Sequence, residues 1–347
     1  MPSVTIDAGV LAVPSSAASR EAAYHYLDTL LDWSTLLKER WVAIYMSESA
    51  SGALLDDNMY PLRDDLRRFF AKHEIVEYDV NTVATVADRL LRLTPSFESH
   101  FAIQEVLTHD VEMIPDILET CSGISLRSDL ARIIVLVAIL RQHCYESVFD
   151  HSLILRRANG QTVHVRALIC MLEHHREDLQ QLPNPPDYLE SDVLVCDNFK
   201  GLIECLDENI VLLQASDDVG VEAAIQISLF KSRLESGATP DWNDTPTYSL
   251  GRRFWPSFLR LNPTEQIAAA SLRAIIETLE RTNAADTHWL RLGEGGNDPQ
   301  IVRTADRAKA WRRDIDRNHH LHYWLCPDGT IELASIAFPH DDYDIPE

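Results

Sequence analysis

One stretch limits the fold more than any other: SDLARIIVLVAILRQHC, residues 128–144. Read as a helix it is apolar on nearly all sides, with Asp129 near its start, so it has no face to give to water. It must lie between layers, and the rest of the chain has to supply cover on both sides. Its apolar run, Ile133 to Leu140, is far too short to cross a bilayer, so a core helix is expected rather than a membrane span.

The flanking segments supply that cover. VTIDAGVLAV opens with a strand pattern ending at Asp7, and a helical pattern follows from about Arg20 to Glu39. WVAIYMS reads as a buried strand that delivers Glu48 at its C-terminal end. Pro61 suits the first position of a helix through Arg68, and Asn81 suits the cap of NTVATVADRLLRL. HSLILRR and DVLVCDNF, the latter carrying Asp197, follow later. Strands alternating with helices predict an α/β domain on a largely parallel sheet, with ligands at the C-terminal ends of the strands.

The stretch SRLESGATPDWNDTPT gathers Gly, Pro, Asp, Asn, Ser and Thr between patterned segments, as a linker does. The expected organisation is an acidic domain over residues 1–231, a linker over 232–246 and a smaller α+β domain over 247–347. Two domains also suit the 347 residues. Residues 246–347 hold 12 Lys/Arg and 15 Asp/Glu, whereas residues 1–245 hold 19 and 39. Most of the net charge of −23 therefore belongs to the N-terminal part, and nucleic acid is repelled there unless a cation intervenes. Six cysteines without a C-x-x-C pair fit buried thiols in a reducing compartment. MPSVTIDAG lacks the charged and apolar regions of a signal peptide, so the expected location is cytoplasmic.

Asp7, Glu48 and Asp197 each follow a predicted strand and so converge toward one sheet edge. Carboxylates gathered in one cleft repel one another, and Mg²⁺ or Mn²⁺ holding a water against a phosphodiester is the common resolution. Equally, Asp7 and Asp197 suit plain helix caps. IDAGVLAV, Glu48, SDLARIIVLVAIL and VLVCDNF together resemble the four acidic stations of the PIN-domain nucleases. That resemblance implies Asp7, Glu48, Asp129 and Asp197 as ligands of a metal that hydrolyses single-stranded RNA.

The C-terminal part holds two helical segments, THWLR, and then the strands AWRRDID, HHLHYWL and TIELASIAF, with PDG as the last turn. This order, and the pattern W-x-R-x-I, L-x-Y, hairpin, His, Tyr, resembles the RelE/ParE/YoeB toxin superfamily over residues 247–347. The resemblance implies either metal-independent cleavage of messenger RNA, with His320, His340, Tyr343, Arg312 and Arg313 at the site, or docking on a protein target. His320 stands where the ribonuclease members carry Arg, and imidazole is no permanent cation. Strand alternation places Leu321, Tyr323 and Leu325 toward the helices and His320, His322 and Trp324 outward, on a face for RNA or an antitoxin-like regulator. The leading expectation is a metal-dependent ribonuclease of toxin or phage-defence type. A non-enzymatic protein-binding module and RNA cleavage by the C-terminal domain are the alternatives.

Overall fold

The computed structural model describes residues 2–14, 19–143, 151–156, 158, 160, 162–175, 182–293, 298–337 and 345–346. It divides into two compact units, Met1–Leu206 and Asp207–Glu347.

The first unit runs β1 (Ser3–Ile6), α1 (Ala8–Leu11), α2 (Arg20–Leu36), β2 (Ala43–Met46), α3 (Ala50–Asp56), α4 (Arg63–His73), α5 (Val80–Leu93), α6 (Phe97–Phe101), β3 (Ile103–Ile114), α7 (Ile124–His143), β4 (His151–Ile154), β5 (Thr162–His174), β6 (Asp187–Cys196) and α8 (Phe199–Cys205). Its sheet has the order β2-β1-β4-β6-β5-β3. The first four strands are parallel, and β5 and β3 extend the sheet antiparallel. The expected parallel α/β sheet is present, with this ribbon added. In β3 exposed charged residues interrupt the alternation, whereas β5 buries Val163, Val165, Ala167 and Ile169 at every second position.

Helix α7 is the apolar helix expected between layers. Every residue from Ile133 to Leu140 is buried, in one cluster with Phe97, Phe101, Leu153, Val163, Val165 and Val193. Its first turn is fastened to the end of α3, where Asp57 accepts from Leu126 N at 2.8 Å and Ser125 N at 3.2 Å. A Cβ on Gly123 would fall 1.9 Å from Asp57 Oδ2, so that approach requires glycine. Helix α5 is capped by Asp79, not Asn81: Asp79 accepts from Thr82 N at 2.8 Å. The carboxylate two residues earlier also accepts from the Thr82 hydroxyl, at 3.0 Å.

The second unit runs α9 (Glu208–Leu213), α10 (Asp218–Glu235), β7 (Tyr248–Leu250), α11 (Phe254–Leu259), α12 (Glu265–Leu279), β8 (Thr287–Trp289), β9 (Lys309–Asp314), β10 (His320–Leu325) and β11 (Ile331–Ala337). The sheet order is β7-β11-β10-β9-β8, antiparallel except for the parallel β7–β11 pair. The two helices, the hairpin and the PDG turn fall where the sequence places them, and Gly329 takes φ 91° in that turn. The stretch 236–247 is irregular and mostly exposed, yet both its flanks belong to this unit. The reason is α10, which packs on α9 and α12 and is tied by Arg233 Nη2 to Glu280 Oε1 at 2.7 Å.

One expectation about this sheet fails. His320, His322 and Trp324 do not face outward: they are 0%, 0% and 1% exposed. Trp324 packs with Leu290, Ile301 and Ala308, from between β8 and β9, and with Ala310. Its indole Nε1 donates to Pro346 O at 2.8 Å. Alternation fixes which side a residue takes, but a covering loop decides whether that side meets water.

Candidate active site

In the first unit the chain runs from β1 to its neighbour β2 and later returns to β4 on the other side of β1. Such a reversal opens a crevice at the C-terminal ends of the strands. Asp7 stands there, immediately after β1. Its Oδ2 accepts from Gly9 N at 3.0 Å, so the carboxylate caps α1 as well as facing the crevice. The side chain is 6% exposed. Burial first, then the charge of Asp129, push the carboxyl up to about 7, and the Arg156 guanidinium partly opposes them.

Asp129 comes from the first half of α7 and is also buried. Its Oδ1 accepts from Ser47 Oγ at 2.6 Å, Ser49 Oγ at 2.5 Å and Arg132 Nη2 at 3.2 Å. Both serines follow β2, on the short loop that leads into α3. Beside β2, Met46 N donates to Pro95 O at 3.0 Å. That pairing brings in Ser96, which caps α6, and with it Glu98, 3% exposed. Glu98 Oε2 accepts from Glu48 N at 2.8 Å and from Ser96 Oγ at 3.1 Å, while Oε1 takes the Arg132 guanidinium.

The four acids expected at this edge are thus only half gathered. Asp7 and Asp129 come together. The Glu48 side chain is exposed, and its contribution to the cluster is a backbone N–H. Asp197 ends β6, two strands across from β1 and therefore about 10 Å away, and its Oδ1 accepts from Asn198 Nδ2 at 2.6 Å. It does not cap α8 either, since Asn198 does. Among the described residues no three carboxylate, imidazole or thiolate groups converge as a metal cage. A Mg²⁺-type ion, however, is commonly held by one or two carboxylates, with water and substrate phosphate completing its shell. The mutually repelling Asp7–Asp129 pair fits that mode and not the four-acid one.

Sequence reasoning missed Glu98, Ser47, Ser49, Arg132 and Arg156. Arg132 was legible in principle, one turn after Asp129 on the same helix face. Arg156, two residues after β4, donates to Ala12 O and lies 5.6 Å from the Tyr26 ring centroid.

The basic and imidazole residues of the second unit are placed otherwise. Arg313 is 2% exposed. Nη1 donates to Glu277 Oε2 at 2.8 Å and Asn283 O at 3.1 Å, and Nη2 to Thr282 O at 2.7 Å. It fastens the end of α12 to the sheet and has no fork left for a phosphate. His320 Nε2 lies 3.2 Å from Asp314 Oδ1, inside the fold. Arg312 is half-buried beside His322 in the ladder, on the covered face. His340 and Tyr343 lie outside the described residues. These residues therefore do not assemble into a solvent-facing catalytic group among the described part of the chain.

Among the described residues no helix is long and apolar enough to cross a membrane. No family model, curated protein or solved structure matches the chain.

Proposed function

We propose that the first unit is a metal-dependent phosphodiesterase, and that its substrate is single-stranded RNA, as the likeness to PIN-domain nucleases implies. The observation that carries this reading is the pair of buried carboxylates at the strand-order reversal, Asp7 and Asp129, where the Asp129 charge adds to burial in raising the Asp7 carboxyl. Mg²⁺ or Mn²⁺, when bound, supplies a water of lowered pKa and charge to offset the phosphate.

The chain's own residues do the remaining work. Asp7 is fixed by its bond to Gly9 N, so its free oxygen has one direction. Ser47 and Ser49 fix Asp129 Oδ1. Arg156, two residues after β4 and close enough to Asp7 to lower its proton affinity, is placed to draw a phosphate into an otherwise acidic crevice. The unit's acidity does not oppose this, because the metal and Arg156 supply positive charge locally.

The test is cleavage of an end-labelled single-stranded RNA with Mn²⁺ and with EDTA. Cleavage that needs Mn²⁺ and disappears in Asp7→Asn supports the reading. Cleavage that survives EDTA or that substitution refutes it.

For the second unit we infer a binding role for a regulator or target protein. The likeness to the ParE-like members supports this reading, and Arg313 and His320 are committed inside the fold.

A further inference from the structure

The carboxylates at the crevice are not equally neutralised. One atom, Arg132 Nη2, sits among four oxygens: Ser47 Oγ at 2.8 Å, Ser49 Oγ at 2.9 Å, Asp129 Oδ1 at 3.2 Å and the closest, Glu98 Oε1. A terminal guanidinium nitrogen has two hydrogens, so four acceptors around it exceed what hydrogen bonding alone requires. Crowding of hard oxygens about one positive centre is instead how an inorganic cation is surrounded. The four come from three separate segments, the β2–α3 loop, α6 and α7, so no single local motif explains the arrangement. Burial alone would loosen the Arg132 proton, but the Glu98 and Asp129 charges more than offset it, so this cation is permanent.

Asp7 has a different set of partners: it accepts from Gly9 N, and the charges of Asp129 and Arg156 act on it. Arg132 thus pairs with Glu98 and with one oxygen of Asp129.

We propose that Arg132 is the site's built-in counter-cation, which holds the place of part of a divalent ion's oxygen shell and competes with that ion for Asp129. The proposal rests on the metal-dependent reading above. Binding of the divalent ion then requires the guanidinium to swing off Asp129 Oδ1 toward Glu98 and solvent. Its 25% exposed side chain has an open route to do so. Arg132 is by this account a positioning residue that sets metal affinity, and the resting protein is stable without metal because the carboxylates already have a partner.

The experiment is Mn²⁺ binding to the full chain, followed by the loss of the free-ion paramagnetic signal, for wild type, Arg132→Gln and Arg132→Lys. Thermal melts with and without Mn²⁺ run in parallel. The expected result is Mn²⁺ affinity at least about tenfold higher in Arg132→Gln, because a close positive charge is removed. Arg132→Lys, which keeps the charge, should stay near wild type. If Arg132→Gln is unstable as purified, Mn²⁺ should raise its midpoint by more than it raises the wild-type midpoint. Equal affinity in wild type and Arg132→Gln overturns the counter-cation role and leaves the metal-dependent reading standing. Loss of Mn²⁺ binding in Arg132→Gln overturns it too, by making Arg132 a support. Absence of binding in all three proteins sinks both ideas.

Discussion

The two units treat charged side chains in opposite ways. In the second, Arg313 is surrounded by Glu277 and the carbonyls at the end of α12, and every close oxygen is matched by a donor. In the first, burial of Asp7, together with the charge of the buried Asp129, raises its carboxyl far above an ordinary carboxylate. The first arrangement is what a fold needs, and the second works against it. Buried acids that repel one another are a common mark of a binding site, and the difference supports the chemistry proposed for the first unit.

The contrast breaks first at Arg313. Arg313→Ala should destabilise the second unit by about 3–5 kcal/mol, since it strands Glu277 and two carbonyls, and a urea melt reads this directly. Little change in the melt would remove the architectural half of the comparison. Asp7→Asn should lower RNA cleavage by about a hundredfold or more while the thermal midpoint holds or rises, because the neutral amide relieves the repulsion from Asp129.

The pH dependence of stability sharpens the same point with two opposed slopes. His151 is fully buried, hydrogen-bonded by Ser3 Oγ at 2.7 Å and Thr5 Oγ1 at 2.8 Å. Burial first, then the Arg141 and His100 charges, push it from 6.5 down to about 3. Below 6.5 the unfolded chain takes up a proton that the folded one refuses, so stability is lost as pH falls from 6.5 toward 3. Asp7 acts the other way: folded it keeps its proton up to about 7, whereas unfolded it releases it near 3.8, so its share of stability is lost as pH rises through that window. In metal-free wild type the two slopes oppose each other between about 4 and 6.5. Asp7→Asn should leave the His151 slope alone, with stability rising by about 1 kcal/mol per pH unit in urea melts. Parallel pH profiles for the two proteins would show that Asp7 titrates normally.

The smallest effect belongs to Arg312. Arg312→Gln should leave metal-dependent RNA cleavage within about twofold of wild type, and a larger loss would return chemistry to the second unit.

Much of this was legible in the sequence. The helix at 128–143, the strands β1, β2, β4, β6 and the terminal hairpin follow from period and composition, which are local properties. So does the presence of Asp7 at a strand end, since a strand's direction and end are written in its own residues. What the sequence could not show is which strand ends become neighbours. Asp129 joins Asp7 because α7 crosses the sheet, and Asp197 does not because β4 lies between β6 and β1. Glu98 carries no motif at all and enters because the Pro95–Ser96 segment pairs beside β2.

The sequence by itself determined the local elements, the split of charge between the halves of the chain and the need to bury the apolar helix, because each depends on residues close together along the chain. Only the tertiary structure decided that Glu98 rather than Glu48 completes the carboxylate cluster, that Arg132 already neutralises part of it, and that His320 and Arg313 lie inside the fold. Those outcomes depend on strand order and on what covers each face, which are fixed by packing between residues distant in sequence.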